Sequence, residues 1–385
     1  MKCPECGKEL KPNKYDAPIT IKTYNFPLEV LRNVYYCRDC KVGMDPLYDI
    51  FDLYKNHKLT IGLTLEIVRE AQIHSSFEES QQEIKHHLDL DISESIIVDV
   101  AEDVGNEIHK DEIEKAESIF ENYQEYIPDV KEENKEDCIL YIMADGSMLS
   151  IINEDGTCSW KENKLGIIFK DNKLIEQSGG KNMITEKEYV SYLGSCETFK
   201  KMLFKAAINN DYGKVKKVVF IGDGAPWLWN ICDELFPDAE QILDFYHLKE
   251  NLYDYAEYLH PENESEQEKW VANTQDKIVK GNVEEVIDDL PEVDDEIKEN
   301  QDIPNLKQYL KNNKNKVNYQ EYRDKNYFIG SGSIESGHGK VIHQRLKQPG
   351  MHWSHKGCQG MTSLRTKYCS NQWGKVVDMV SAKAA

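Results

Sequence analysis

The sequence predicts an α/β protein with a mixed sheet, preceded by a cysteine-bearing head and a small helical segment. Three observations predict it. Two Cys-x-x-Cys pairs fall between Cys3 and Cys40. Residues 77–106 carry apolar side chains at helical spacing. From Cys138 onward short apolar runs alternate with turn signals, first without helices between them and then with helices, which is the order of a sheet with mixed pairing.

The head comes first. Cys3-Pro4-Glu5-Cys6 and Cys37-Arg38-Asp39-Cys40 are separated by thirty residues and sit in a Lys-rich stretch. Four thiolates make the soft tetrahedral site that Zn²⁺ favours, so Cys3, Cys6, Cys37 and Cys40 are expected to hold a structural zinc in a zinc ribbon over residues 1–45. Such a head does not by itself name a function.

Residues 46–127 read as a helical, helix-turn-helix-like domain. Phe77 to His87 is one helix, Ser93 to Asn106 the next, with Ile96, Ile97, Val100 and Val104 on one face. Ser93 is the expected N-cap, and Leu88-Asp89-Leu90-Asp91 the break. The second helix carries Glu94, Asp99, Glu102 and Asp103, the wrong sign for reading a DNA groove, so dimerisation is its alternative use. Pro128 to Asp137 is the expected linker.

The strands follow. Ile139 to Ile152 is a long β-run expected to break at Asp145-Gly146, with Glu154-Asp155-Gly156 as the next turn. Leu165 to Lys170 and Ile184 to Leu193 are the second and third strands. Thr198 to Asn209 reads as a helix, Lys217 to Asp223 as a buried strand, and Pro226 opens another helix. Glu240 to Phe245 is a strand. About eighty acidic residues of helix and loop come after it, and a last helix is expected from Ile334 to Leu346.

Composition narrows the functional classes. A chain of 385 residues, 40% apolar, has room for two or three domains and a substantial core. Its apolar runs are strand-sized, far below the roughly 18 residues of a membrane span. The expectation is a cytoplasmic, nucleoid-associated protein with reduced thiols. A net charge of −22 excludes a simple nucleic-acid coat protein. The charge is uneven, however. Glu335 to Ala385 holds eight Lys or Arg against two acids, and Tyr246 to Lys325 holds eleven against twenty. A basic end on an acidic body suits contact with DNA through one face.

Two apolar runs enter Asp-Gly in the same way, Ile142-Met143-Ala144-Asp145-Gly146 and Phe220-Ile221-Gly222-Asp223-Gly224. The ordinary use of Asp-Gly is a turn. A third acid, Glu335 in Gly330-Ser331-Gly332-Ser333-Ile334-Glu335-Ser336-Gly337, opens a helix rich in Lys and His. Three carboxylates are what two hard divalent cations need for in-line attack on a phosphodiester. His338 and Ile342 share a face with Glu335. Lys340, His343 and Lys347 form a separate stripe, extended by Arg345 and Lys356, and phosphate contact is its expected use. Trp227, Trp229 and Trp353 are expected in the core, with stacking on a base as the alternative for one of them.

The stretches Gly222-Asp223-Gly224-Ala225-Pro226-Trp227, Leu243-Asp244-Phe245-Tyr246-His247, Gly330 to Glu335 and Gln344-Arg345-Leu346-Lys347-Gln348-Pro349-Gly350-Met351-His352-Trp353-Ser354 resemble bacterial insertion-sequence transposases of the Kra and Lre types. These are relatives of the Mutator-like DDE enzymes. The likeness covers most of the chain and is strongest from Asp223 onward. It implies an RNase H-like core in residues 138–245 and 330–385, with a helical insertion at 246–329. It implies Asp145, Asp223 and Glu335 as a triad holding Mg²⁺ or Mn²⁺, and a functional Asp-x-x-His at Asp244 and His247. The function it implies is cleavage of element ends and joining of their 3′-hydroxyls to target DNA. The partners would be double-stranded DNA (terminal repeats and target) and at least a second copy of the chain. A non-catalytic DNA-binding relic acting as a regulator, or another nuclease of the same fold such as a junction resolvase, are the alternatives.

Overall fold

Where the chain strings apolar residues without the helical period, it forms a mixed sheet whose middle is buried on both faces. The computed structural model describes residues 1–51, 53–54, 57–177, 181–291 and 305–382. They divide into two units: one of residues 1–112, 149–160 and 341–385, the other of residues 113–148 and 161–340.

The first unit begins with a three-stranded antiparallel sheet, β1 (Pro12–Ile21), β2 (Leu28–Cys37) and β3 (Val42–Met44), in the order β1-β2-β3. Ile19 and Ile21 of β1 bury their side chains with Leu47 and Leu53, a core too small to fix the head alone. Helices follow at Ile61–Ile73, Phe77–Leu88 and Glu94–Glu121. The two expected helices are therefore present. Ser76 caps the first of the pair through Glu79 N–H at 3.0 Å, and Asp89 ends it in the left-handed region at φ 53°. The next helix outruns its expected end because Val104, Ile108 and Ala116 continue the apolar stripe.

That helix owes part of its acidity to partners within its own unit. Asp103 accepts from Tyr54 Oη at 3.3 Å, and buried Glu112 meets buried Lys367 at 2.9 Å. Two helices that the sequence reading lacked lie after Leu346, at His355–Cys369 and Trp373–Ala382. The first carries no apolar stripe to mark it, because it is buried nearly all round and its buried residues include Gln359, Thr362, Ser363, Arg365, Thr366 and Lys367. Its Gly360 lies directly against Gly105 of the long helix, and a Cβ at Gly105 would collide with the Gly360 carbonyl. Only glycine lets the two backbones approach so closely.

The second unit holds most of the large sheet. Its strands are β4 (Glu136–Ile152), β5 (Cys158–Lys170), β6 (Glu188–Leu193), β7 (Val215–Gly222) and β8 (Glu240–Leu243), in the order β6-β5-β4-β7-β8. β6 is antiparallel to β5, while β7 runs parallel to β4 and β8 parallel to β7. The α/β class with mixed pairing is thus as expected. Leu140 to Ala144 on β4, Val219 to Gly222 on β7 and Ile242 and Leu243 on β8 are buried without alternation, the pattern of a sheet covered on both faces.

β4 does not break at Asp145-Gly146; it runs through to Ile152. Gly146 lies in the strand against the Glu162 carboxylate of β5. The turn comes later, where Gly156 takes φ 82° and Asp155 Oδ1 accepts from Thr157 N–H at 2.9 Å. The end of this hairpin, residues 149–160, belongs to the first unit, as does Trp353–Ser354, which pairs with Ile151 and Ile152. The expected strand from Ile184 to Leu193 divides in two, because Lys181–Ile184 pairs in a separate hairpin with Leu174–Gln177. Helices occupy Cys196–Asn209, Pro226–Leu235, Phe245–Leu259, Glu264–Val279, Val283–Asp289, Leu306–Asn313 and Tyr319–Asp324. The expected last helix starts at Gly332 and includes a π-helical stretch at His338–His343.

Candidate functional site: an acidic cluster around His247

The sheet register brings the first two acids together. In the parallel pair, Ile221 lies opposite Met143, so Asp223 and Asp145, each two residues on, occupy the same row. Equal offsets in a parallel pair point side chains to the same face, on strands about 4.8 Å apart. Gly222 pairs with Leu243, and Asp244 N–H donates to Gly222 O at 2.8 Å, which places Asp244 next in the row. Asp145 and Asp223 are half-buried and Asp244 is fully buried.

Asp244 is both an N-cap and an anchor. Its Oδ1 accepts from Tyr246 N–H at 2.8 Å, opening the helix Phe245–Leu259. Its Oδ2 accepts from His247 Nδ1–H at 2.8 Å and from the hydroxyl of buried Ser331. Ser331 also reaches Glu335 Oε1 at 3.4 Å. Ligand atoms of Asp244, His247 and Glu335 all lie within 4.8 Å of one another. One helical turn beyond Glu335, buried His338 Nε2 stands 3.2 Å from Asp145 Oδ2. The helix that carries Glu335 is thus tied to the sheet at Asp244 through Ser331 and at Asp145 through His338.

Of the expected triad, Asp145 and Asp223 share the row, while Glu335 lies with Asp244 and His247. Among the described residues, Asp145, Asp223 and Glu335 do not bring their ligand atoms within 4.8 Å of one another as Asp244, His247 and Glu335 do. His247 is close enough to feel the charges of both Asp145 and Asp223. The resemblance implies Asp244 and His247, whereas nothing in the sequence assigns a role to Ser331 or His338. A signal existed in their spacing, four residues before and three after Glu335 on one helical face.

The charges explain the proton affinities. His247 is raised to about 9, foremost by its hydrogen bond to Asp244, against burial, and further by the charges of Asp244, Asp145 and Asp223. Burial pushes Asp145 up, but the neighbouring His338 and the Gly146 N–H outweigh it and hold the carboxyl below its ordinary value. Asp223 is pushed up by burial first and by Asp145 as well, opposed by Ala225 N–H and His247. Four carboxylates around two histidines leave an excess of negative charge that a hard cation would relieve.

The head offers a second ligand set. Cys3, Cys6, Cys37 and Cys40 keep their sulfurs within 4.8 Å of one another, with Cys6 Sγ and Cys37 Sγ 3.8 Å apart. The Cys3 thiol is brought down to about 7, chiefly by the Cys6 N–H. Such a set can hold a soft cation.

The expected phosphate-contacting residues separate into two kinds. Lys340, His343, Lys347 and Lys356 are exposed. Arg345 is not, so it does not lie on a DNA face as expected. Arg345 is fully buried, its Nε donating to Ala71 O at 2.8 Å and its guanidinium stacked on Phe77 and Trp353. Buried Arg365 does the same for Gln72 O at 2.8 Å. Both cap the carbonyl end of the helix Ile61–Ile73, where unpaired C=O groups attract cations. With Lys367 paired to Glu112, three of the cations that made the end of the chain basic serve the interior. Arg345→Ala is expected to lower the unfolding free energy by about 3 kcal/mol, because it strands buried carbonyls and opens a cavity. Urea denaturation measures this; an unchanged midpoint would contradict the capping role.

The sequence model of the Uncharacterised protein family (UPF0236) matches residues 13–383. The chain belongs to that family. Two UPF0236 proteins of Caldanaerobacter subterraneus subsp. tengcongensis are 24% identical to it, over 339 and 337 residues. Each alignment covers 85% of this chain and 64% of the relative, so this UPF0236 chain spans about 64% of the length of the relatives it matches. The first of them is named for eleven loci of one genome. Among solved structures, the Drosophila P element transposase strand transfer complex is similar over 81% of this chain and 93% of that one, at 10% identity and a TM-score of 0.33, too loose a likeness to establish a shared fold. No helix among the described residues is long and apolar enough to cross a membrane.

Proposed function

We propose that this chain is a DDE-type DNA transposase of the Kra/Lre insertion-sequence kind, with an RNase H-like core and a zinc-ribbon head. The observation that carries the reading is the row Asp145, Asp223, Asp244 on three neighbouring parallel strands, with Glu335 brought to the same cluster by a distant helix. A sheet of three hairpin-linked or antiparallel strands followed by two parallel ones supports the RNase H-like reading. A relative named for eleven loci fits a gene that copies itself within a genome. The domains would be the zinc ribbon 1–45, the helical domain 46–127, the core 138–245 and 330–385, and the insertion 246–329.

Asp145, Asp223 and Glu335 would hold two Mg²⁺ or Mn²⁺ ions, which when bound would activate the attacking oxygen and stabilise the leaving one. The residues of the chain do the rest. Asp244 fixes the ring of His247 so that Nε2 is left for the substrate, and the imidazolium offers a proton and a positive charge to a phosphate oxygen. Water first cleaves a strand at the element end, and the freed 3′-hydroxyl then attacks a phosphodiester of target DNA in the same cluster. Two ends must meet, so a dimer or larger assembly would act. In the head, four thiolates at about 2.3 Å from one Zn²⁺ would stand about 3.8 Å apart, the separation of Cys6 and Cys37.

The test is to incubate the protein with duplex DNA from the ends of its encoding element, a target plasmid and Mg²⁺ or Mn²⁺. Cleaved ends joined to the plasmid are expected. Hydrolysis without joining would fit another nuclease, and binding without cutting a regulator; either would end the transposase reading.

A further inference from the structure

The motif from Gln344 to Ser354 is left without a task by the acidic cluster, yet it is built with care. Inside the first unit it forms a tightly held loop. Trp353 Nε1–H donates to Leu346 O at 3.0 Å, and the Gln348 side chain donates to His343 O and Gln344 O at 2.9 and 3.0 Å. Met351 N–H closes a turn on Gln348 O at 3.0 Å, and His352 Nδ1 meets Ser150 Oγ of the β4–β5 hairpin at 2.7 Å. Buried Arg345 anchors the start of the loop and the pairing of Trp353 with Ile151 anchors its end.

Between this loop and the hairpin lies a cleft of about 370 Å³. Trp160 stands on one side, 62% exposed, and exposed Lys347 on the other. Leaving an indole in water forgoes much of the gain of burying it. In a chain with 69 acids, none of the nine residues lining the cleft carries a carboxylate. A cleft lined by an indole and a cation and by no carboxylate is complementary to a base and its phosphate.

We propose that this cleft holds an unpaired nucleotide of a DNA strand, its base stacked on Trp160 and its phosphate on Lys347. This rests on the DNA-processing reading and adds to it a strand-holding site within the first unit. The volume is of the size that takes one small ligand rather than a duplex. Single-strand capture by stacking is tolerant of sequence, so the site would hold whichever strand is opened near the element end.

The test is equilibrium binding of a fluorescein-labelled single-stranded oligothymidylate to the full chain in EDTA, read by anisotropy, with the matching duplex as comparison. Trp160→Ala is expected to weaken single-strand binding at least about fivefold, with Trp160→Phe staying near wild type. Lys347→Gln is expected to lower the salt slope by about 0.7. Because Trp160 is largely exposed, neither exchange should disturb folding, and urea midpoints check this. Three outcomes would overturn the proposal: unchanged affinity in Trp160→Ala, an equal loss for duplex and single strand, or a Trp160→Ala protein that turns from oligomer to monomer in sedimentation while keeping its DNA affinity. The last would give the cleft to a second copy of the chain. Since no cleavage is measured, a wild type that binds but never cuts removes the transposase chemistry, whereas one that cuts while Trp160→Ala binds normally removes the cleft alone.

Discussion

Asp223→Asn is expected to lower DNA cleavage and joining by about a thousandfold or more, equivalent to about 4 kcal/mol of transition-state stabilisation. The exchange is nearly isosteric, and asparagine Oδ1 can still accept the Ala225 N–H bond that Asp223 makes at 2.8 Å. The fold therefore has no reason to change. What is lost is one negative charge from the row that would hold the metal ions. The same exchange relieves the repulsion that Asp145 exerts on Asp223. In EDTA the variant should thus be slightly more stable than wild type while being inactive, the trade expected of a carboxylate kept for function. Asp145→Asn should be equally inactive but less stable, because it weakens the contact with His338 that holds the Asp145 carboxyl below its ordinary value. Glu335→Gln should be inactive with little change in stability, since Glu335 is exposed. Cleavage assays and urea denaturation of the three variants check the pattern. Cleavage retained in any of them would remove that residue from the triad.

Asp244→Asn has the second largest expected effect, on stability and its pH dependence. His247 titrates near 6.5 in an unfolded chain and at about 9 in the folded one. A folded value raised above the unfolded one contributes stability that is fully present below pH 6.5 and is lost as pH rises through about 9. With His247 27% exposed, that contribution is roughly 2 kcal/mol after allowing for solvent screening. Asp244 makes the largest part of it, and it also accepts from Tyr246 and Ser331. Asp244→Asn should therefore lower stability by about 2 to 3 kcal/mol in mild acid. It should also flatten the decline between the two values in metal-free buffer. Urea midpoints across that range measure both. A variant with the wild-type pH profile would show that Asp244 does not set the charge of His247.

The legible parts of the molecule were those with a local signature. The helices at Phe77–Leu88 and Glu94–Glu121 show an apolar period, β7 holds the short apolar run Val218 to Ile221, and the cysteines of the head are paired by spacing. Asp223 could be read as a strand end because its strand does end there. Asp145 could not be placed the same way. Its Asp-Gly has the composition of a turn, yet pairing with β5 and β7 carries the backbone straight on, a non-local effect that outweighs local preference. The charge of Arg345 and Arg365 was visible, but their burial was not, since helix ends seeking donors are a feature of the folded chain alone. The helix His355–Cys369 was hidden for a related reason. It meets the long helix at Gly360, and its buried residues mix polar with apolar, which leaves no periodic trace. His338 was read as sharing a face with Glu335, but only the fold shows that the face meets Asp145.

The central claim is that Asp145, Asp223 and Glu335 together hold divalent cations, and diffraction from crystals grown with Mn²⁺ tests it most directly. Anomalous density for two ions about 3.5–4 Å apart, bounded by these three side chains, is the predicted result. Manganese bound elsewhere, or none in the cluster, would contradict it.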